Sequence, residues 1–305
     1  MTPTVIFVTV FAGLFGLVIG SFLNVVAYRL PNKISLLRES RCPHCDAPVR
    51  WYQNVPVMSW LVLRGRCASC TAPISARYPI VEAITAVVFA LVALGVSFGR
   101  PLDQRPTDGA LWFGTPEFWG ILVTLETFAA LSIVLTLIDL DHKRLPNAIV
   151  LPGWVAIAGL LLVTVLLTEL NPVTELPMAA GVTPEGISAP RTVDWWPFAR
   201  AIIGGAVLFL FYYVVRWISP RGMGGGDVKL AGLVGTVLGW FGWSTLIVGA
   251  FSAFVLGGLF GIALMLFGGA KRKTAIPFGP WMLAGAWAGI VFGEPLGRWY
   301  MGMLS

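Results

Sequence analysis

The chain has 305 residues, 57% of them hydrophobic and only 12% charged, and its mean hydropathy is +0.80. A soluble domain carries about 25% charged residues, so a water-soluble globule is excluded. The net charge of +6 comes without any Lys/Arg block interleaved with aromatics, and a nucleic-acid surface is excluded with it.

Runs of roughly 20 apolar residues recur from end to end, the pattern of an all-α polytopic membrane protein. The first predicted span covers residues 5–27. It lacks a basic leader and a small-residue cleavage site, and its positive charges follow it, so it reads as a retained helix. Gly13, Gly16, Gly20 and Ser21 form a stripe for close helix packing, and Asn24 is the polar exception, expected to hydrogen-bond a neighbouring helix.

Residues 28–77 form a polar, basic segment holding eight Lys/Arg and all four cysteines. Further spans are predicted over 78–98, 118–138, 148–168, 198–217, 228–240, 243–267 and 275–292. That makes about eight transmembrane helices and a small loop domain: a first helix over 1–27, a cysteine loop over 28–77 and a seven-helix membrane domain over 78–305. Residues 99–117 and 169–197 read as polar connectors. With the N-terminus outside, the inner segments hold 16 of the 21 Lys/Arg, the skew expected of a cytoplasmic face. Both termini are then expected on the outer side.

Two acidic stretches stand against this apolar background. Asp139 closes the third predicted span in Ile138-Asp-Leu-Asp-His142, and Asp227 opens the sixth behind Gly224, Gly225 and Gly226. Both fall on the inner side at similar depth. An ionisable residue in a membrane span marks a functional site by default. Two carboxylates that approach closely cannot both ionise, so one serves as base and the other as acid, as peptide-bond hydrolysis by water requires. A single Asp at a helix end is more often a cap, and Asp141, followed by Lys143 and Arg144, reads as a solvated loop acid. The same acids would also serve a proton-coupled transporter, although no second copy of the glycine stretch supports the internal repeat such folds often show. Glu126, in the outer half of its span, reads as structural. Glu82 and Lys229 lie on the acid side and are candidates for active-site support, as are Gly224 and Gly226.

Cys42-Pro-His-Cys45 and Cys67-Ala-Ser-Cys70 are two CxxC knuckles. Together they match a closed, four-thiolate structural zinc site, in a loop predicted to face the reducing side where disulfides are disfavoured. His44 lies inside a knuckle and reads as a loop residue.

Gly224-Gly225-Gly226-Asp227 followed by Lys229 resembles the GxGD signature of membrane aspartyl proteases, and more narrowly of type IV prepilin peptidases. The stretch from Asp139 to Asn147 resembles that family's first catalytic motif. Further likeness lies in Gly20 to Val26, in Arg29-Leu30-Pro31, in Asn54-Val55-Pro56, in Arg64 to Cys67, in Arg77-Tyr78-Pro79 with Glu82, and in Pro277-Phe278-Gly279-Pro280. The resemblance implies an inner-membrane endopeptidase of bacteria, cutting prepilins and pseudopilins at the cytoplasmic face with Asp139 and Asp227. In many members it also implies N-methylation of the new N-terminal residue from S-adenosylmethionine, while others cleave without methylating. No glycine-rich motif assigns a place for the methyl donor, and oligomeric state is open.

Overall fold

The computed structural model describes residues 2–98, 112–170, 194–219, 223–267 and 277–304. Among these lie nine α-helices: α1 (Pro3–Arg29), α2 (Met58–Val62), α3 (Arg77–Phe98), α4 (Pro116–His142), α5 (Asn147–Leu170), α6 (Trp196–Ile218), α7 (Gly225–Phe241), α8 (Trp243–Phe267) and α9 (Gly279–Leu304). A 3-10 turn at Trp51–Asn54 precedes α2. The described residues form no sheet, only two isolated β-bridges. The basic segment 271–273, Arg221, Gly222 and most of both connectors lie outside the described residues.

Eight helices are long, as expected, and six of them have the length and apolarity to cross a bilayer: α1, α3, α4, α5, α6 and α8. The exceptions have physical reasons. Helix α7 has 17 residues, and most are buried among α5, α6, α8 and α9, so it is the central helix and meets little lipid. Helix α9 starts at Gly279, not 275, and runs on to Leu304 past the expected end at 292. Pro277 lacks an N–H and stays outside the helix, whereas Pro280 is tolerated in the first turn. Beyond 292, Glu294, Pro295 and Arg298 lower hydropathy without ending the helix.

Apolar lipid supplies no hydrophobic drive between helices, so close backbone packing has to do it. The glycines are placed accordingly. Gly16 and Gly20 lie against Ala86 and Glu82 of α3, where a Cβ would come within 2.9 Å and 2.7 Å of the facing Cα atoms. Gly204 and Gly205 of α6 meet Gly232, Gly235 and Gly239 of α7, and Gly249 of α8 meets Gly285 and Gly289 of α9. Asn24 donates to the carbonyls of Gly20 (3.3 Å) and Tyr78 (3.2 Å), the interhelical bond expected of it. The buried core runs from Phe89 and Phe128 through Leu135 and Ile138 to Leu230 and Leu238. Both acidic stretches sit at one end of it, at the C-terminal end of α4 and the N-terminal end of α7.

Candidate active site

Asp139 lies in the last turn of α4. The chain leaves the helix through Lys143, in the left-handed region at φ 51°, whose N–H donates to the Asp139 carbonyl at 2.8 Å. That cap fixes the backbone under the acid. The residue is 4% exposed, and its Oδ2 is buried with no well-formed hydrogen bond, facing only the Gly279 backbone at longer range. A buried polar atom left unpaired costs roughly 1–3 kcal/mol, a cost an idle residue has no reason to bear.

Asp227 occupies the first turn of α7. Its Oδ2 accepts the N–H of Gly224, the N-cap residue, at 3.0 Å. The N-terminal end of a helix favours negative charge, and the Arg216 guanidinium, packed against Gly225, adds to the same field.

Three helix ends converge to bring the two acids together. A Cβ on Gly226 would lie 2.8 Å from Leu145 Cβ, and one on Gly279 would lie 3.4 Å from Leu145 Cδ1 and 2.7 Å from Asp139 Oδ2. Leu145 is thus clasped between the start of α7 and the start of α9, while the Gly279 backbone faces the Asp139 carboxylate. Each glycine admits a close approach that a side chain would block. Within this junction Asp139 feels the charge of Asp227. Asp139 is buried and Asp227 half-buried, and the two are electrostatically linked, an arrangement suited to acid–base catalysis by a pair.

The other expected supports are placed differently. Gly224 and Gly226 are at the junction, but Lys229 Nζ donates to Asn147 Oδ1 at 2.9 Å and so ties α7 to the start of α5. Glu82 is buried, yet it accepts the Val57 N–H at 2.7 Å and faces the cysteine loop. Asp141, expected to be solvated, is ion-paired with Arg77. Glu126 is half-buried, and its Oε1 is buried with no partner among the described residues.

The cysteines form a second centre. Each knuckle is built alike: Cys42 N–H donates to Ala47 O and Asp46 N–H to Cys42 O, and Cys67 and Thr71 repeat the pattern with Ala72 and Cys67. Asp46 and Thr71 both adopt positive φ, 54° and 59°. All four Sγ atoms lie within 4.8 Å of one another. A tetrahedral ion with metal–sulfur bonds of about 2.3 Å spaces its sulfurs about 3.8 Å apart, and Cys42 Sγ to Cys70 Sγ is 3.8 Å. The donors therefore fit a metal ion, and His44 stands outside the set.

A cavity of about 610 Å³ lies between α1, α3 and the cysteine loop, with Asn24, Trp60 and Glu82 in its wall; neither aspartate lines it. The cavity reaches the cysteine cluster, since Cys42 and Cys67 also line it, and stands apart from the aspartate junction.

Comparison with known proteins divides the chain at the same place. Residues 14–96 match the bacterial peptidase A24 N-terminal domain, and residues 127–262 match the type IV leader peptidase family. The chain is 33% identical to a prepilin leader peptidase/N-methyltransferase of Aeromonas hydrophila, over 94% of this chain and 92% of the relative. The chain belongs to the type IV leader peptidase family. Relatives of the same name from Legionella pneumophila (31% identical; 97% of this chain, 95% of the relative) and Stutzerimonas stutzeri (30%; 94% and 91%) match nearly end to end. No solved structure matches the chain. The cysteines and the cavity fall in the first family segment and both aspartates in the second.

Sequence reasoning missed several residues of this family member's site. Gly279 was visible only as part of a proline-flanked motif, and Arg216 only as the basic flank of an apolar run. The repeat Cys-x-x-Cys-x-Ala-Pro, present at Cys42 to Pro48 and again at Cys67 to Pro73, would have disclosed the paired knuckles beyond their cysteines.

Proposed function

We propose that this chain is a membrane aspartyl endopeptidase that removes the leader of type IV prepilins and pseudopilins at the cytoplasmic face, and that it methylates the new N-terminal amine. The catalytic pair is Asp139 and Asp227. The observation that carries this is their convergence where the C-terminal end of α4 meets the N-terminal end of α7, with Asp139 Oδ2 buried and unpartnered and Asp227 capped by Gly224. No observation favours a transporter using the same acids.

The division of labour follows from the hydrogen bonds. Asp227, with its N–H donor, helix end and nearby guanidinium, is the ionised base. Asp139, facing no positive group among the described residues and with one oxygen unpartnered, is the protonated acid. Asp227 takes a proton from water as its oxygen attacks the scissile carbonyl carbon, and Asp139 gives its proton to the carbonyl oxygen. The tetrahedral gem-diol then collapses: Asp139 recovers its proton, the C–N bond breaks, and the amine leaves with the proton held by Asp227. Both carboxylates return to their starting states with one water consumed.

The positive-inside skew supports an active site facing the cytoplasm of the bacterial inner membrane, with both termini outside. In this reading residues 28–77 form a loop domain held by a structural zinc on Cys42, Cys45, Cys67 and Cys70, flanked by the helix of residues 1–27 and the membrane domain of residues 78–305. S-adenosylmethionine, when bound, supplies the methyl group. The cavity between α1, α3 and the loop has a volume in the range of small-molecule sites, about 300–1,000 Å³, and is the place we assign to it, with the buried Glu82 as an anion beside the cationic donor.

The deciding experiment incubates the protein in detergent with a prepilin and isotopically labelled S-adenosylmethionine and takes the mass of the product's N-terminus. Cleavage with methylation is expected. A cleaved, unmethylated product would reduce the function to leader removal, and an intact prepilin would overturn the peptidase.

A further inference from the structure

Four buried side-chain polar atoms among the described residues have no hydrogen-bond partner, and besides Asp139 Oδ2 one is the hydroxyl of Tyr212. Tyr212 is 1% exposed. A buried phenol normally finds an acceptor, and an orphaned one in a tightly packed helix pair calls for a reason.

The packing of α6 against α7 fixes where this hydroxyl lies. The helices run antiparallel, with Gly205 against Gly232 and Thr236 at one level and Arg216 against Gly225 at another. Tyr212 lies between Gly205 and Arg216 on α6, as Asp227 lies between Gly225 and Gly232 on α7. The register therefore brings Tyr212 level with Asp227, one turn above Arg216. The ring is held on two further sides, stacked on Phe254 at 5.7 Å between centroids and tilted against Phe278 at 6.1 Å. Phe278 precedes Gly279, whose backbone faces Asp139. Two orphaned polar atoms, from Asp139 and Tyr212, thus flank one junction, and Asp227 lies close enough for its charge to reach the phenol.

We infer that Tyr212 is a positioning residue for the peptidase: its hydroxyl is held ready to donate to the Asp227 carboxylate when substrate and water enter, fixing that carboxylate as the base. This rests on Asp139 and Asp227 being the catalytic pair. A phenol suits the task because it donates one hydrogen bond, stays neutral, and is aimed by a ring that packing immobilises. Tyr213, the next residue, is exposed on the outer surface of the bundle at 54% and serves as the internal control.

The test compares steady-state prepilin cleavage by wild type, Tyr212→Phe and Tyr213→Phe, each in detergent. Loss of a hydrogen bond to a charged group lowers kcat by on the order of 10- to 100-fold, with KM within about twofold because the group acts on the base and not on substrate binding. Tyr213→Phe is expected to match wild type. Replacing Tyr212 by p-aminophenylalanine, which keeps ring and donor, should restore most of the rate. Should Tyr212→Phe fail to accumulate, a ring-fluorinated tyrosine of nearly the same shape but more acidic hydroxyl replaces it; kcat should then fall as the phenol ionises. A kcat for Tyr212→Phe within twofold of wild type overturns the inference. So does p-aminophenylalanine as slow as Phe, or a fluorinated tyrosine whose rate follows wild type through the pH range in which its own phenol ionises. Absence of cleavage by wild type overturns the peptidase and this inference together.

Discussion

Arg77 holds Asp141 with both terminal guanidinium nitrogens, Nη1 to Oδ1 at 3.0 Å and Nη2 to Oδ2 at 2.6 Å. The pair joins the first residue of α3, where the cysteine loop ends, to the last turn of α4, two residues beyond Asp139. Both side chains are more than a third exposed, so the bridge contributes at most about 1 kcal/mol to stability. Its geometric effect is larger, because a bidentate clamp fixes the turn that carries Asp139, the proposed catalytic acid. Arg77→Ala is expected to shift the unfolding midpoint little while lowering kcat/KM for cleavage several-fold. The double variant Arg77→Asp with Asp141→Arg should recover part of the loss. Cleavage kinetics and thermal unfolding on the same preparations check this, and an unaffected Arg77→Ala would disconnect the loop from the dyad.

The two aspartates should respond differently to amidation. Asp139→Asn and Asp227→Asn are each expected to lower kcat by three or more orders of magnitude, since an acid–base role alone contributes about 10²–10⁴ and members of a pair act as a unit. Stability should divide them. Asp139→Asn replaces a buried acid whose Oδ2 has no partner and should be neutral or stabilising. Asp227→Asn weakens a charged helix cap and should cost about 0.5–1 kcal/mol. Denaturant titration of both proteins, with cleavage assayed in parallel, reads the two effects apart. Either variant cutting at near wild-type rate would remove that residue from the chemistry.

Gly279 has no room for a side chain, because a Cβ would stand 2.7 Å from Asp139 Oδ2 and 3.4 Å from Leu145 Cδ1. Gly279→Ala must push the carboxylate aside, at a strain of roughly 1–3 kcal/mol. A displacement near 1 Å at a reacting group costs about 10²-fold in rate. We expect kcat to fall by one to two orders of magnitude while the protein stays folded in the membrane. Ala at Gly159, which has open space where its Cβ would be, is the matched control.

The apolar runs disclosed the helices because a bilayer demands length and apolarity, which sequence records directly. The CxxC spacing disclosed the second centre because metal geometry fixes local spacing. Lys229 and Glu82 were legible as polar residues on the right face, but their partners, Asn147 and Val57, depend on which helices meet and are recorded nowhere locally. Asp141 looked solvated for the same reason: its partner Arg77 is 64 residues away. Tyr212 hid in the run Phe209 to Val215, where two adjacent phenols carry no local mark of which one is buried in the packing of α6 on α7.

The cysteine loop has few buried residues of its own, so most of its order must come from the proposed zinc. Metal analysis should find one zinc per chain, lost in Cys42→Ser and in Cys67→Ser alike, because a four-thiolate site does not survive removal of one ligand from either knuckle. Chelation should make the loop sensitive to limited proteolysis within residues 39–75 while α4 to α9 stay protected. Unchanged zinc in either Ser variant would exclude the proposed ligand set.

The cavity beside that loop gives the last prediction. Val25 lines it from α1, one turn from the Glu82–Gly20 contact and distant in sequence from both aspartates. Val25→Trp fills space without adding charge, so it should weaken S-adenosylmethionine binding, read by calorimetry on the full chain in detergent, by about tenfold or more. Tenfold corresponds to about 1.4 kcal/mol, less than the 1–3 kcal/mol that overpacking alone can impose at its upper end. The leader should still be cut, leaving an unmethylated amine on the product. Photo-crosslinking of a donor analogue should label peptides containing Trp60 or Glu82 in wild type and not in Val25→Trp. Full binding by Val25→Trp together with labels on α4 or α7 would move the methyl donor out of this cavity and into the aspartate junction.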